Sequence, residues 1–291
     1  MNFETFISEN QQFLIEQYNI SYATSFGQYF SPIKEKNKSN SKYAFAPGFS
    51  YELKNSYKQE TDSILWDKNY LSLLQQPNTL NFAKELEQNE FHSYIGHLAN
   101  EKNFKEMAPN ANMLFIGTHG FLNDLNPTQS YLQFSNSHDS IDNNDNQLFA
   151  SEIYGINLNT ELAFLTACNT GIGSIRKGEG MISLAHAFNS AGCSNIIHSL
   201  WSIDENSSIE IGKVFLDKYF SSKDPSSALR EAKLQYIRSN DNQLNHPFYW
   251  GGLVLKSQVS AKSNRRNYFF LIGIGISMIL LLALSKFFRN S

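Results

Sequence analysis

The sequence predicts an α/β fold in which a mainly parallel sheet is sandwiched by helices, followed by one C-terminal transmembrane helix. Three observations carry this. Four short, continuous apolar runs occupy the second half, at residues 113–118, 161–167, 194–201 and 249–255. Runs of this length suit strands buried on both faces. Helical patterns lie between them, and strands alternating with helices specify right-handed crossovers in a layered α/β sandwich. The third observation is a run without a charge over residues 268–284, continued by Phe287 and Phe288 past Lys286. It reaches the roughly 17–20 residues that a spanning helix needs.

Taken in order, residues 2–19 have helical spacing, with Phe3, Phe6, Ile7, Phe13 and Ile15 apolar. Residues 31–41, rich in Lys, Asn and Ser, read as a surface loop. Residues 43–46 are a short buried-type run ended by Pro47 and Gly48. Residues 60–74 and 81–107 read as helices, the second opening on Asn81 as N-cap. In the second half the helical patterns are 180–191, 205–220 and 225–238. Residues 139–147 form a polar insertion. Asp139, Asp142 and Asp145 resemble a calcium loop there, but the turn glycine and the terminal bidentate Glu are missing. No internal repeat of about 30–45 residues is evident, which argues against a helical solenoid.

Composition narrows the function classes. The chain has 291 residues, Lys+Arg 24 against Asp+Glu 27, a hydrophobic fraction of 41% and a charged fraction of 18%. Those are the proportions of a globular chain with a real core. The near-neutral balance, with no concentrated basic face, argues against nucleic acid as a partner. Two cysteines, Cys168 and Cys193, support neither a disulfide framework nor a four-cysteine zinc site, so a cysteine here is either packing or chemistry.

The domain plan is a main body over 1–256, a basic and polar linker over 257–267, a membrane helix over 268–288 and a short tail over 289–291. Lys262, Arg265 and Arg266 precede the span and Arg289 follows it, while Lys286 is placed to snorkel. No basic stretch followed by an apolar one opens the chain, so no signal peptide is visible. With three basic residues before the span against two after it, the expectation is a tail anchor with the main domain in the cytoplasm.

In open α/β sheets, ligands bind beyond the carboxyl ends of the strands. That rule selects His119 and Cys168, each just past an apolar run. If the two strands are neighbours, their ends lie about 5 Å apart in the pairing direction. An imidazole there can take the thiol proton and return one to a leaving amine. Gly120 lets a backbone N–H approach a substrate closely, and with the N–H of Cys168 it could form an oxyanion hole. The residue types also fit a packed cysteine and an ordinary histidine. Cys193, at a helix-to-strand junction without a glycine turn after it, reads as packing. No third and fourth ligand stands at zinc spacing near His119 and Cys168, so no metal is expected. No G-x-x-x-x-G-K-[ST] pattern follows Arg176 and Lys177, and no G-x-S-x-G elbow occurs, which removes a phosphate loop and a serine hydrolase.

A series of short motifs then narrows the reading. In order they are Thr118-His119-Gly120; Leu148 to Ile153; Leu165-Thr166-Ala167-Cys168-Asn169-Thr170-Gly171; Gly178-Glu179-Gly180; Ala191-Gly192; Ser199-Leu200-Trp201; Ala228 to Ala232; and His246-Pro247-Phe248-Tyr249-Trp250. This order resembles the CHAT domain, a caspase-like cysteine peptidase family of the separase and gingipain-like group, often joined to tetratricopeptide repeats. The likeness is strongest over 110–256. It implies a caspase-haemoglobinase-like fold, with His119 and Cys168 as a catalytic dyad and no cofactor. In separase-like relatives an acidic residue after the Leu-Trp pair helps bind a basic side chain at the cleavage position. Here Asp204 and Glu205 follow Leu200-Trp201, and Glu205 stands where the family more often has Asp. Both are therefore pocket candidates, with Trp201 as a pocket wall; either carboxylate also suits a helix start. His246 reads as a structural hydrogen bonder at the start of a strand.

Two functions fit. One is a membrane-anchored cysteine endopeptidase cutting proteins or peptides after a basic residue. The other is a latent scaffold or signalling module of the same family that binds partners at the membrane. In both, the regulatory repeat domain that the family usually carries would come from a separate protein.

Overall fold

The computed structural model describes residues 2–23, 39–60, 70, 72–123, 125–136, 146–166, 168–169, 179–240 and 243–257. Its strands are β1 (Lys42–Ala46), β2 (Phe91–Ile95), β3 (Met113–Ile116), β4 (His119–Phe121), β5 (Tyr131–Gln133), β6 (Gln147–Phe149), β7 (Leu162–Leu165), β8 (Cys168–Asn169), β9 (Asn195–Ser199) and β10 (Leu253–Ser257). Its α-helices are α1 (Tyr51–Glu60), α2 (Pro77–Glu85), α3 (Glu101–Met107), α4 (Ala150–Ile153), α5 (Glu179–Ala191), α6 (Glu205–Ser222), α7 (Pro225–Ser239) and α8 (Pro247–Trp250).

Six strands form the main sheet in the order β10-β9-β7-β3-β1-β2. All neighbours are parallel except β10, which runs antiparallel to β9. The apolar runs work as expected for strands covered on both sides. In β3, Met113 and Phe115 join a core with α2, α6 and α7. Leu114 and Ile116 join a second core with α3, α4 and α5. In β7, Leu162 and Phe164 face the first core, and Ala163 and Leu165 the second. Each fully buried Leu, Ile or Phe contributes about 1.5–3 kcal/mol, so these central strands are the mechanical frame for whatever stands at their ends.

A second sheet of four short strands, β6-β5-β4-β8, grows from that frame. Its β4 follows β3 after Gly117 and Thr118, and its β8 follows β7 after two residues. Gly117 makes the first crossing feasible: a Cβ there would stand 2.1 Å from Thr79 Cγ2 at the start of α2.

Several local expectations are corrected. Residues 2–19 are not one helix but two 3₁₀ turns, Phe3–Thr5 and Leu14–Glu16, joined by an Ile7–Phe13 bridge. The polar run between them turns at Gln11, which has φ 58°. The expected helix over 81–107 is interrupted by β2, because Glu90 (φ 65°) and Gly96 (φ 57°) break it on either side. The run over 249–255 is no single strand. Pro247 at the first helical position and His246, whose Nδ1 accepts the Phe248 N–H at 3.2 Å, start α8. Of the helix expected over 60–74, residues 61–69 and 71 lie outside the described residues; Glu60, Tyr70 and Ser72 are helical, and residues 73–76 are irregular.

The proposed membrane helix at 268–288, most of the linker and the Asp-rich insertion through Asp145 lie outside the described residues, as do residues 170–178 after Asn169. Among the described residues no helix is long and apolar enough to cross a membrane.

Candidate active site

The two selected strands are neighbours. Ile116 of β3 pairs with Leu165 of β7. Three residues beyond each, His119 of β4 pairs in parallel with Cys168 of β8, and Gly120 pairs with Asn169. The equal step on both chains carries the main-sheet register into the small sheet. On its other side β4 is antiparallel to β5, with His119 opposite Gln133 and Gly120 opposite Leu132. Thr118, fully buried, locks the crossing by donating its hydroxyl to the Gln133 carbonyl.

His119 is only 2% exposed. Its ring lies against Phe49, with centroids 5.0 Å apart and planes tilted by 35°. Phe49 belongs to the turn after β1 and anchors a small cluster with Tyr70 and Leu73, against which Phe121 packs. Nε2 of His119 is 2.8 Å from the Leu74 carbonyl oxygen. A carbonyl only accepts, so Nε2 carries the proton and Nδ1 holds the lone pair. Nδ1 is buried and has no hydrogen-bond partner among the described residues. Burial holds the imidazole below its ordinary pKa near 6.5; the Leu74 carbonyl opposes this, and the Lys54 charge adds to it. The ring is therefore neutral at pH 7, with Nδ1 as its basic nitrogen.

The strap that supplies Leu74 is itself pinned. The Lys54 ammonium, on α1, donates to the Leu73 carbonyl. The Gln76 N–H donates to the Gly48 carbonyl at 2.9 Å. None of Phe49, Lys54 or Leu74 was signalled in the sequence, because a main-chain carbonyl acceptor has no residue signature.

The carboxylate candidates stand at the start of α6 and both have structural work. Asp204 is the N-cap and accepts from the Ser207 N–H at 2.9 Å and hydroxyl at 3.0 Å through one oxygen. Glu205 reaches across to the first turn of α2 and accepts the Thr79 N–H at 2.8 Å. Trp201 is partly buried against the first core, and its indole N–H donates to the Phe248 carbonyl at 3.0 Å. Cys193 is fully buried in the second core, its thiol 3.2 Å from the Asn195 carbonyl.

The CHAT domain model matches residues 1–257. The chain belongs to the CHAT domain family. No curated protein matches it in sequence. Two crystal structures of the Saccharomyces cerevisiae separase–securin complex are similar in fold at 11% identity. One has a TM-score of 0.42 over 75% of this chain, the other 0.44 over 80%. The chain spans 12% and 13% of the length of those separase chains. The CHAT assignment thus rests on the family model, with an α/β architecture in which helices flank a mainly parallel sheet.

Proposed function

We propose that this CHAT chain is a cysteine endopeptidase that works through a His119/Cys168 dyad. The observation that supports it most is the parallel pairing of His119 with Cys168. Residues paired across neighbouring strands share a face of the sheet about 5 Å apart. In the reaction, Nδ1 of His119 takes the Cys168 thiol proton and the sulfur attacks the peptide carbonyl carbon. The N–H groups of Gly120 and Cys168 hold the oxyanion. As the tetrahedral intermediate collapses, His119 hands its proton to the departing amine and the C–N bond breaks. Water, deprotonated by the same ring, then releases the acyl group and restores the thiol. A neutral imidazole with Nε2–H already committed to Leu74 suits the first step, because only Nδ1 is left to accept.

The preference for a basic residue before the cut belongs to this proposal too. Asp204 and Glu205 each engage one carboxylate oxygen in the bonds described, and the second oxygen of each is the group offered to a basic side chain. Residues 268–288 would tether the domain to a bilayer, with the domain on the cytoplasmic side.

The second reading, a latent scaffold or signalling module, is favoured by the 2% exposure of His119 beneath Phe49 and the strap. On it, a partner protein supplies the opening. One experiment separates the two. The full chain, in detergent micelles, is compared with Cys168→Ala on fluorogenic peptides ending in Arg, alongside iodoacetamide labelling. Cleavage lost in C168A, with Cys168 labelled much faster than Cys193, supports the peptidase. Equal background in both proteins, with Cys168 as slow to label as Cys193, favours the scaffold.

A further inference from the structure

The dyad proposed above accounts for one nitrogen of His119, and the strap accounts for the other. Besides the Leu73 N–H, which donates to the Tyr70 carbonyl at 3.3 Å, three bonds among the described residues tie the strap to its surroundings. Leu73 gives its carbonyl to the Lys54 ammonium. Leu74 gives its carbonyl to His119 Nε2 at 2.8 Å. Gln76 gives its N–H to the Gly48 carbonyl at 2.9 Å. One of the two outer bonds is backbone to backbone and survives any side-chain change. The other depends on a single side chain, that of Lys54.

Lys54 is a costly choice for a mere clamp. It is partly buried and carries a charge whose pKa burial and Lys58 both push below the usual lysine value. A hydrogen bond from a charged donor is worth roughly twice a neutral one. Residues 73–76 have no regular structure of their own, so the strap's internal ladder cannot replace that bond. Lys54 also lies close enough to His119 for its charge to oppose protonation of the ring. Both effects bear on the same quantity, which is the fraction of His119 present as the neutral ring with hydrogen on Nε2.

We propose that Lys54 is a positioning residue for His119: by holding the Leu73 carbonyl it fixes the strap so that the next carbonyl, of Leu74, keeps the proton on Nε2 and leaves Nδ1 free to act. This inference rests on the dyad reading for its effect on turnover but not for its effect on the ring. In the Lys54→Met chain the strap relaxes, the Leu74 bond lengthens, and the ring samples both tautomers. A misplacement of that kind costs up to about 10²-fold in kcat with little change in KM. Arginine keeps the charge and the donor, so Lys54→Arg restores most of it.

The test uses the full chain in micelles, labelled with ¹⁵N-histidine, as wild type, Lys54→Met and Lys54→Arg. The ring nitrogen shifts of His119, assigned with His119→Gln, report the tautomer directly. Expected is a single Nε2–H form in wild type and Lys54→Arg, and a mixture in Lys54→Met with an unfolding midpoint close to wild type. An unchanged tautomer in Lys54→Met overturns the proposal, whatever the activity does. So does a mixture in both variants accompanied by equal losses of stability, since that marks a purely structural lysine. A wild-type chain without Cys168-dependent cleavage defeats the peptidase reading alone, because the tautomer result stands on its own.

Discussion

The two sheets each carry a buried histidine, and the molecule treats them differently. His198 lies in β9 of the main sheet, 4% exposed, with burial pushing its pKa down to about 4. Its Nδ1 stands 3.4 Å from the carbonyl of its neighbour Ser199. His119 lies in β4 of the small sheet, equally buried, yet a carbonyl from a separate strap orders one nitrogen while the other stays unpartnered among the described residues. Burial alone therefore does not set the two rings apart. What distinguishes His119 is a tautomer set by a carbonyl from a separate segment and a cysteine as register partner.

The sharpest way to break that contrast is substitution of both. His119→Ala should lower kcat on Arg-containing peptides by about 10²–10⁴-fold, the usual worth of an acid–base group. His198→Ala should leave kcat near wild type and cost stability instead. Steady-state kinetics alongside thermal unfolding would separate the two, and equal kinetic losses would erase the distinction.

Next in size is the edge of the main sheet. Lys233 of α7 is fully buried and donates both to Glu4 and to the Leu253 carbonyl of β10. Removing one partner of a buried pair leaves an uncompensated charge, so Lys233→Ala should destabilise by about 3–5 kcal/mol in denaturant titration. A change below 1 kcal/mol would show that the N-terminal arm is not held by this pair.

A pH series sharpens the comparison further. His198 binds its proton more weakly folded (about 4) than at the ordinary value of 6.5, so the unfolded chain holds more protons between those values. Its contribution is complete above pH 6.5 and declines as pH falls toward 4, by at most roughly 3 kcal/mol. His119 acts in the same direction. The unfolding midpoint should fall with acid over this window, and His198→Leu should flatten the slope. An identical slope in the variant would remove His198 as the cause.

The smallest effect belongs to the helix start shared by both regions. Glu205→Gln keeps the acceptor for the Thr79 N–H but removes its charge at the α2 terminus, and should cost about 0.3–1 kcal/mol. If cleavage after Arg falls while stability moves only this little, Glu205 contributes to substrate binding as well as to the cap.

The sequence was most legible where burial on both faces left a continuous apolar run. The strands β3, β7 and β9 lie within the runs that announced them. It was least legible where strands are too short for a period to register. The small sheet uses strands of two or three residues, and β2, with the mixed pattern Phe91-His92-Ser93-Tyr94-Ile95, hid inside a helical reading. His119 and Cys168 stood out because each ends a strong run. Their support did not, since Leu74 acts through its main chain and Lys54 looks like any surface lysine until the strap is seen.

The matched spacing between the paired strands has a consequence for how such chains can change length. Adding one residue between Ile116 and His119 alone would slide β4 against β8 and turn every side chain of β4 to the opposite face. A compensating insertion between Leu165 and Cys168 would restore the alignment. Natural variants and engineered libraries should therefore tolerate indels at these two junctions in concert and reject them singly, although neither junction is constrained by the other along the polypeptide.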